Sequence, residues 1–235
     1  MHEVIPDETG AKVLSFKEAT IPPSSPNMTG VEKATFDLGR GDILLIKVEE
    51  GREHTPLADA AQGLVTPISG RVSFMGEDWQ AMRARRQSVQ RGRTRRVFEH
   101  YGWIANLNVM ENICLAESHH SGRRTADIQA EALLLARQCG LGEIPEARSS
   151  GIHSMVLRKL EWVRAFMGTP DLIILERPMH KAPRADMNRL VELVCEASRN
   201  GAAVIWLTDE DRVWNCTGLG PVRRYQFDGE KLVSV

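Results

Sequence analysis

The chain is poor in several things at once. Its four cysteines (Cys114, Cys139, Cys195 and Cys216) are scattered through 235 residues with no CxxC pair. That excludes a disulfide framework and a zinc knuckle, both of which need a close pattern of sulfurs. Charge of one sign is also missing. Lys+Arg 30 against Asp+Glu 31 leaves a formal charge of -1, so no whole-chain field draws the protein to nucleic acid. No apolar run approaches the roughly 18 residues of a membrane span. The N-terminal MHEVIPDE is acidic and lacks the apolar stretch of a secretion signal, so a soluble cytoplasmic protein is expected. There is no internal repeat and no low-complexity tail. Apolar residues at 42% and charged residues at 26% are ordinary globular usage, which removes disorder and collagen-like structure. The length suits one large domain or two small ones.

What is present alternates between strand and helix signals. Val13 to Phe16 and Phe36 to Leu38 read as short strands. Between them lies a proline-rich loop, Pro22 to Asn27. Ile43 to Val48 is a nearly continuous apolar run, as expected for a strand covered on both faces. Thr55 is placed to cap a helix with Pro56 at its first position and Leu57, Ala60, Ala61 and Leu64 on one face. Arg71 to Phe74 is a strand. Residues 125–139 form a helix capped by Thr125, with Ile128, Ala132 and Leu135 on one face and Gly140 as its stop. Residues 155–167 form another. Asp171 to Leu175 and Ala202 to Leu207 are buried-strand patterns, separated by a helix striped with Met187, Leu190, Val191 and Val194. Alternating strands and helices predict an α/β fold with a largely parallel sheet.

The stretch from Gly41 to Phe74, GDILLIKVEEGREHTPLADAAQGLVTPISGRVSF, resembles the ATP-binding subunit of ABC transporters. Gly41, Gly51, Thr55, Leu57, Gly63, Leu64, Pro67, Ser69, Gly70 and Val72 fall in register with that family's strand, phosphate loop, helix and following strand. Arg96 to Leu115 is similar to the segment around its glutamine loop. Arg158 to Pro178 is similar to the helix after the signature and the Walker B strand. Asn200 to Asp211 is similar to the last core strand and the switch loop. The resemblance covers nearly the whole chain. It implies one P-loop domain over 1–235: a mainly parallel core with an N-terminal antiparallel part (1–98 and 168–235), and a helical subdomain over about 99–167. Within the family the chain looks closest to compact subunits of lipid or lipoprotein export and Mce-type systems.

The same alignment shows the chemistry replaced. A phosphate loop turns backbone N–H groups toward the phosphates and adds a lysine. Here Val48 stands for its first glycine, Glu53 for the glycine before the lysine, His54 for the lysine and Pro56 for its second hydroxyl. Gly51 and Thr55 survive, with Glu49 and Glu50 close by. Walker B should offer an aspartate to magnesium and a glutamate to the attacking water; here Glu176 and Arg177 follow LIIL. A guanidinium stays protonated and cannot serve as a base. The pair can also be read as a polar strand end satisfying itself. The glutamine-loop position is Glu99 and the switch position is Asp209. The signature aligns with Ile152, His153, Ser154, Met155 and Val156, without its glycines. His180 to Pro183 lacks the D-loop aspartate, and no aromatic residue stands in the proline-rich loop to stack on adenine.

Cassettes of this family pair so that the phosphate loop of one faces the signature of the other, and this chain spoils both contributions. The resemblance therefore implies a degenerate, non-hydrolysing subunit with no cofactor. It would lie on the inner face of the membrane as a dimer with a second ABC-type subunit, or bound to a membrane permease. Tyr101, Trp103, Ile104 and Leu107 are candidates for the permease contact or for packing in the helical subdomain. Two other readings compete. One is a divergent ATPase that uses His54, Thr55 and Glu176 with ATP and magnesium. The other is an interaction module that binds nucleic acid through Arg83, Arg85, Arg86, Arg91, Arg93, Arg95 and Arg96, a cluster expected otherwise to be a solvated basic face. His119 and His120, expected in a loop with Glu117, are too few ligands for a metal site. Trp79, Trp162 and Trp206 are expected in the core.

Overall fold

The computed structural model describes residues 12–23, 29–49, 55–100 and 102–235. Two long strands open it, β1 (Lys12–Ile21) and β2 (Val31–Gly39), followed by β3 (Ile43–Lys47). A short helix α1 (Leu57–Ala61) leads to β4 (Ser69–Phe74), β5 (Glu77–Asp78), α2 (Ala84–Arg91) and β6 (Thr94–Val97). Three helices follow: α3 (Val109–His120), α4 (Thr125–Gln138) and α5 (Ser154–Phe166). The chain then alternates through β7 (Leu172–Glu176), α6 (Met187–Arg199), β8 (Ala203–Thr208) and α7 (Asp211–Trp214). It closes with β9 (Arg223–Asp228) and β10 (Lys231–Ser234).

The described strands run in the order β5-β4-β1-β2-β10-β9-β3-β8-β7-β6. From β9 to β6 every pairing is parallel. The N-terminal strands and the β9–β10 hairpin pair antiparallel. This is the mixed sheet that the sequence predicts. Its core strands are apolar on both faces because each feeds two cores. Ile43 and Leu45 pack with α3 to α6 on one side, together with Val204 and Trp206. Leu44 and Ile46 pack with α1 and the antiparallel strands on the other. Trp79, Trp162 and Trp206 are all buried.

Several local expectations need correction. Thr55 does not cap α1: Pro56 takes that place, and among the described residues no side-chain cap bond forms and the buried Thr55 hydroxyl has no partner. The helix ends before Leu64, which is exposed. Arg124, not Thr125, precedes α4. His119 and His120 form the last turn of α3 rather than a loop, where positive charge complements the helix C-terminus when they are protonated. Glu117 is held away from them by Arg95 and Arg123.

Candidate functional site

In a parallel α/β sheet the carboxyl ends of the strands form a crevice. Here β3 ends toward Val48 and Glu49, β8 at Thr208 and Asp209, β7 at Glu176 and Arg177, and β6 just before Phe98 and Glu99. The four family positions Glu99, Glu176, Arg177 and Asp209 therefore meet, although they are far apart in sequence.

Glu176 and Arg177 do not satisfy each other, contrary to the simplest sequence reading. Arg177 turns away with φ +40°. Its Nη1 donates to Glu99 Oε1 at 2.8 Å, its Nε lies 3.5 Å from Asp209 Oδ2, and its Nη2 donates to the Glu49 carbonyl at 3.0 Å. Glu176 instead takes a two-pronged donation from Arg96, Nε at 2.7 Å and Nη2 at 2.9 Å. The same guanidinium donates through Nη1 to Asp59 at 2.6 Å and to Gln62 at 3.3 Å. Burial alone pulls the Arg96 pKa down, but Glu176 and Asp59 outweigh it and the net shift is upward. Fork-to-carboxylate geometry of this kind is the strong form of an ion pair.

The basic cluster is corrected by the same contacts. Arg95 and Arg96 are buried rather than solvated. Arg95 donates to Glu117 and to the Gly92 and Thr94 carbonyls. Arg93 pairs with Asp171 at 2.7 Å, and Arg86 pairs with Glu77.

Gly51, Glu53 and His54 lie outside the described residues, as does Glu50. Among the described residues, Val48, Thr55, Glu99, Glu176, Arg177 and Leu207 enclose about 10 Å³, about one water-sized probe. No group of three or more described His, Cys, Asp or Glu side chains is placed to hold a metal. The Arg96 guanidinium holds the Glu176 carboxylate, and the Arg177 guanidinium faces those of Glu99 and Asp209.

The signature-equivalent residues sit at the start of α5. His153 Nδ1 accepts the Met155 N–H at 3.3 Å and caps the helix. Ile152 and Val156 pack against the core, Ser154 is half-buried, and Met155 is 43% exposed. Tyr101 lies outside the described residues. Trp103 packs against the core with the Arg164 guanidinium 4.9 Å from its ring centroid. Ile104 lines a groove of about 580 Å³ between β6 and α3, whereas Leu107 lines a separate cavity of about 400 Å³ beyond Asn108.

Sequence reasoning missed Arg96, Asp59 and Gln62 as the counterweight of Glu176. The available signal was the TRRV strand: arginines in a strand beside Val97 and Phe98 are buried only when paired. It also missed α3, whose capping box is written in Asn108-Val-Met-Glu111.

The architecture is that of an ATP-binding cassette. The structure superposes on the dimeric cassette MJ0796 bound to ADP and Pi with a TM-score of 0.79 at 13% identity, covering 93% of this chain and 96% of that one. A second solved ATP-binding subunit of an ABC transporter gives a TM-score of 0.75 at 17% identity, covering 95% of this chain and 90% of that one. The chain is a distant homologue of the ATP-binding domains of ABC transporters. It is 27% identical over 184 residues to the lipoprotein-releasing system ATP-binding protein LolD 1 of Caulobacter vibrioides, covering 75% of this chain and 76% of that protein. It is 25% identical over 185 residues to the uncharacterized ABC transporter ATP-binding protein YbbA of Escherichia coli, with coverage of 78% and 79%. It is also 24% identical over 187 residues to the ribose import ATP-binding protein RbsA 2 of Streptomyces coelicolor; the match takes in 78% of this chain but spans only 35% of that protein. No family model matches the chain.

Proposed function

We propose that this chain is an ABC transporter ATP-binding-type subunit that has kept the cassette and lost hydrolysis. It serves as a structural or regulatory partner of a membrane permease, or of a working ATPase, in a lipid or envelope transport system. The single observation that carries this reading is Arg177. It stands where the family's catalytic glutamate would stand, and it clamps Glu99, Asp209 and the Glu49 carbonyl together. A magnesium–triphosphate would have to displace it and then meet carboxylates already committed to arginine. No bound nucleotide is then expected, and the chain works as one member of a dimer or as the seat of a permease segment on the inner face of the membrane. Its helical subdomain, about 99–167, forms one side of the groove beside Ile104, and Thr94 to Arg96 and Phe98 form the other. The balanced coverage with the lipoprotein-releasing relative supports the lipid or envelope setting. No helix among the described residues is long and apolar enough to cross a membrane.

A divergent ATPase would need Glu176 released from Arg96, and a nucleic-acid module would need an exposed cluster that Arg95 and Arg96 do not provide. Calorimetry of ATP with magnesium on the purified chain tests the reading. No heat at millimolar nucleotide is expected. Binding at micromolar concentration, or magnesium-dependent turnover by the isolated chain, would overturn it.

A further inference from the structure

Cys195 and Cys216 meet where α6 packs against the loop that joins α7 to β9. Cys195 follows Val191 by one helical turn, so the two side chains share a face of α6. That face meets residues 216–219. Val191 Cγ1 lies 3.4 Å, and the Cys216 sulfur 3.6 Å, from the place a side-chain carbon on Gly218 would take. The Cys195 thiol donates to the Gly218 carbonyl at 3.4 Å. One glycine therefore has one thiol at its α-carbon and another at its carbonyl. Leu219, the next residue, is buried in the same core as Val191 and holds the loop down.

Both thiols are free and half-buried, whereas Cys114 and Cys139 are buried. Burial pushes the Cys195 pKa up; Arg199 opposes this, and the neighbouring Cys216 adds to it. Among the described residues no backbone hydrogen bond ties 215–222 to α6. The Cys216 and Gly220 N–H groups bond locally, to the Val213 and Thr217 carbonyls. A disulfide needs its two Cα atoms within about 4.4–6.8 Å, and a loop held by local turns takes up the last adjustment.

We propose that Cys195 and Cys216 are a dithiol modification site, which closes reversibly to a disulfide by exchange with a small disulfide of the glutathione class. The Cys216 thiol gives up its proton, and its sulfur attacks one sulfur of the small disulfide. That S–S bond breaks and one small thiolate leaves. Cys195, whose hydrogen is engaged by the Gly218 carbonyl, acts second. Deprotonated in turn, its sulfur attacks the Cys216 sulfur of the mixed disulfide and expels the second small thiolate. The two protons go to the two leaving thiolates, so the protein loses two hydrogens and the small disulfide gains them. The new bond fastens the loop to α6 just after α7. That helix starts two residues beyond Asp209 and carries Asp211, which accepts from Lys47 at 2.7 Å. Oxidation thus restrains the segment that carries the switch position. The thiol pair lies outside the cluster of carboxylates and guanidiniums, and the exchange is independent of whether the chain binds nucleotide.

The test incubates the full native chain with millimolar oxidised glutathione at pH 8, blocks the remaining thiols with N-ethylmaleimide and maps the peptides by mass. A Cys195–Cys216 cross-link is expected, formed while Cys114 and Cys139 stay unlabelled, and dithiothreitol should reopen it. Cys195→Ser should stop at one glutathione on Cys216. In Cys216→Ser, Cys195 should react roughly tenfold more slowly than Cys216 does in Cys195→Ser. Proteolytic cutting within residues 209–222 should slow by about threefold or more in the oxidised chain and return on reduction. Unreacted thiols, stable glutathione on both cysteines, a link between two chains, or a bond that closes only once Cys114 and Cys139 are labelled would each overturn the proposal. An unchanged cutting rate in the cross-linked chain would overturn the restraint on the switch segment.

Discussion

The Arg96–Glu176 pair offers a direct measurement of how the site is held. The two side chains are 2% and 5% exposed and share two hydrogen bonds. Arg96→Met keeps the volume of the stem and removes the charge, leaving the Glu176 carboxylate buried without its base. Breaking one side of a buried pair costs about 3–5 kcal/mol, because the partner's desolvation is no longer offset. A kcal/mol moves the melting temperature by roughly 2–4 °C in a chain of this size, so a fall of about 6–20 °C is expected. Glu176→Gln in the same background should recover much of it, since a neutral amide needs no counter-charge; Asp59, 19% exposed, can turn to water. Urea and thermal melts of the wild type, both single variants and the double form the cycle. A cost below about 1 kcal/mol for Arg96→Met, or a double variant that simply adds the two single losses, would show that the pair is not what stabilises Glu176.

Other expectations follow from neighbouring groups. Arg177→Ala releases Glu99, Asp209 and the Glu49 carbonyl and should cost about 1–3 kcal/mol by urea melt without any ATP turnover; Arg177→Lys should recover only part, because an ammonium lacks the fork. Glu161 is fully buried, and burial pushes its pKa up to about 7 despite Arg158 and Arg164. The folded state then holds a proton that the unfolded state gives up above the ordinary carboxylate pKa, so stability is present at low pH and is lost as pH rises from about 4.5 toward 7. Glu161→Gln should flatten that slope in urea melts at pH 5 and 8, by an amount on the order of 3 kcal/mol. Burial pushes the Cys114 and Cys139 thiols to about 11 and about 12, so a thiol reagent at pH 8 should label the half-buried Cys195 and Cys216 and spare those two until the protein unfolds.

The legible part of this fold was the part written in local periodicity. Ile43 to Lys47, Leu172 to Glu176 and Ala203 to Thr208 are apolar at every step because they are covered on both faces, and such strands announce themselves. The helix over 187–199 did so through its stripe. The C-terminal hairpin did not, because Arg223 to Asp228 is largely polar and half-exposed. Helix α2 is mostly arginine, glutamine and serine, with only Ala84 and Val89 apolar, and shows almost no apolar face. The site residues Glu99, Glu176, Arg177 and Asp209 were found by register with a family, and the structure does bring them together. Their partners were not legible. Arg96 and Glu176 are 80 residues apart, and Arg177 and Glu99 are 78 apart. No sequence period connects them; only the parallel pairing of β6 with β7 does.

That pairing makes the two exchanges reciprocal. The β6 segment carries a base at Arg96 and an acid at Glu99; the β7 segment carries an acid at Glu176 and a base at Arg177. Each base answers the acid on the other segment. A single step back toward the family pattern is therefore not expected to build a hydrolytic site. Arg177→Glu removes one of the two guanidiniums and adds a carboxylate where Glu99 and Asp209 already converge, 2.8 and 3.5 Å from the present side chain. Like charges about 4 Å apart repel by about 4 kcal/mol at an effective dielectric of 20. Arg177→Glu should therefore be less stable at pH 7 than Arg177→Ala by several kcal/mol on this scale, and should recover as the pH falls and the carboxylates take up protons. It should show no magnesium-dependent turnover, because Arg96 still holds Glu176. Paired urea melts at pH 5 and 7, with a phosphate-release assay on the same samples, decide it. An Arg177→Glu protein as stable as the wild type at neutral pH, or one that hydrolyses ATP, would mean that the crossed pairs are incidental and that the pocket still waits for its nucleotide.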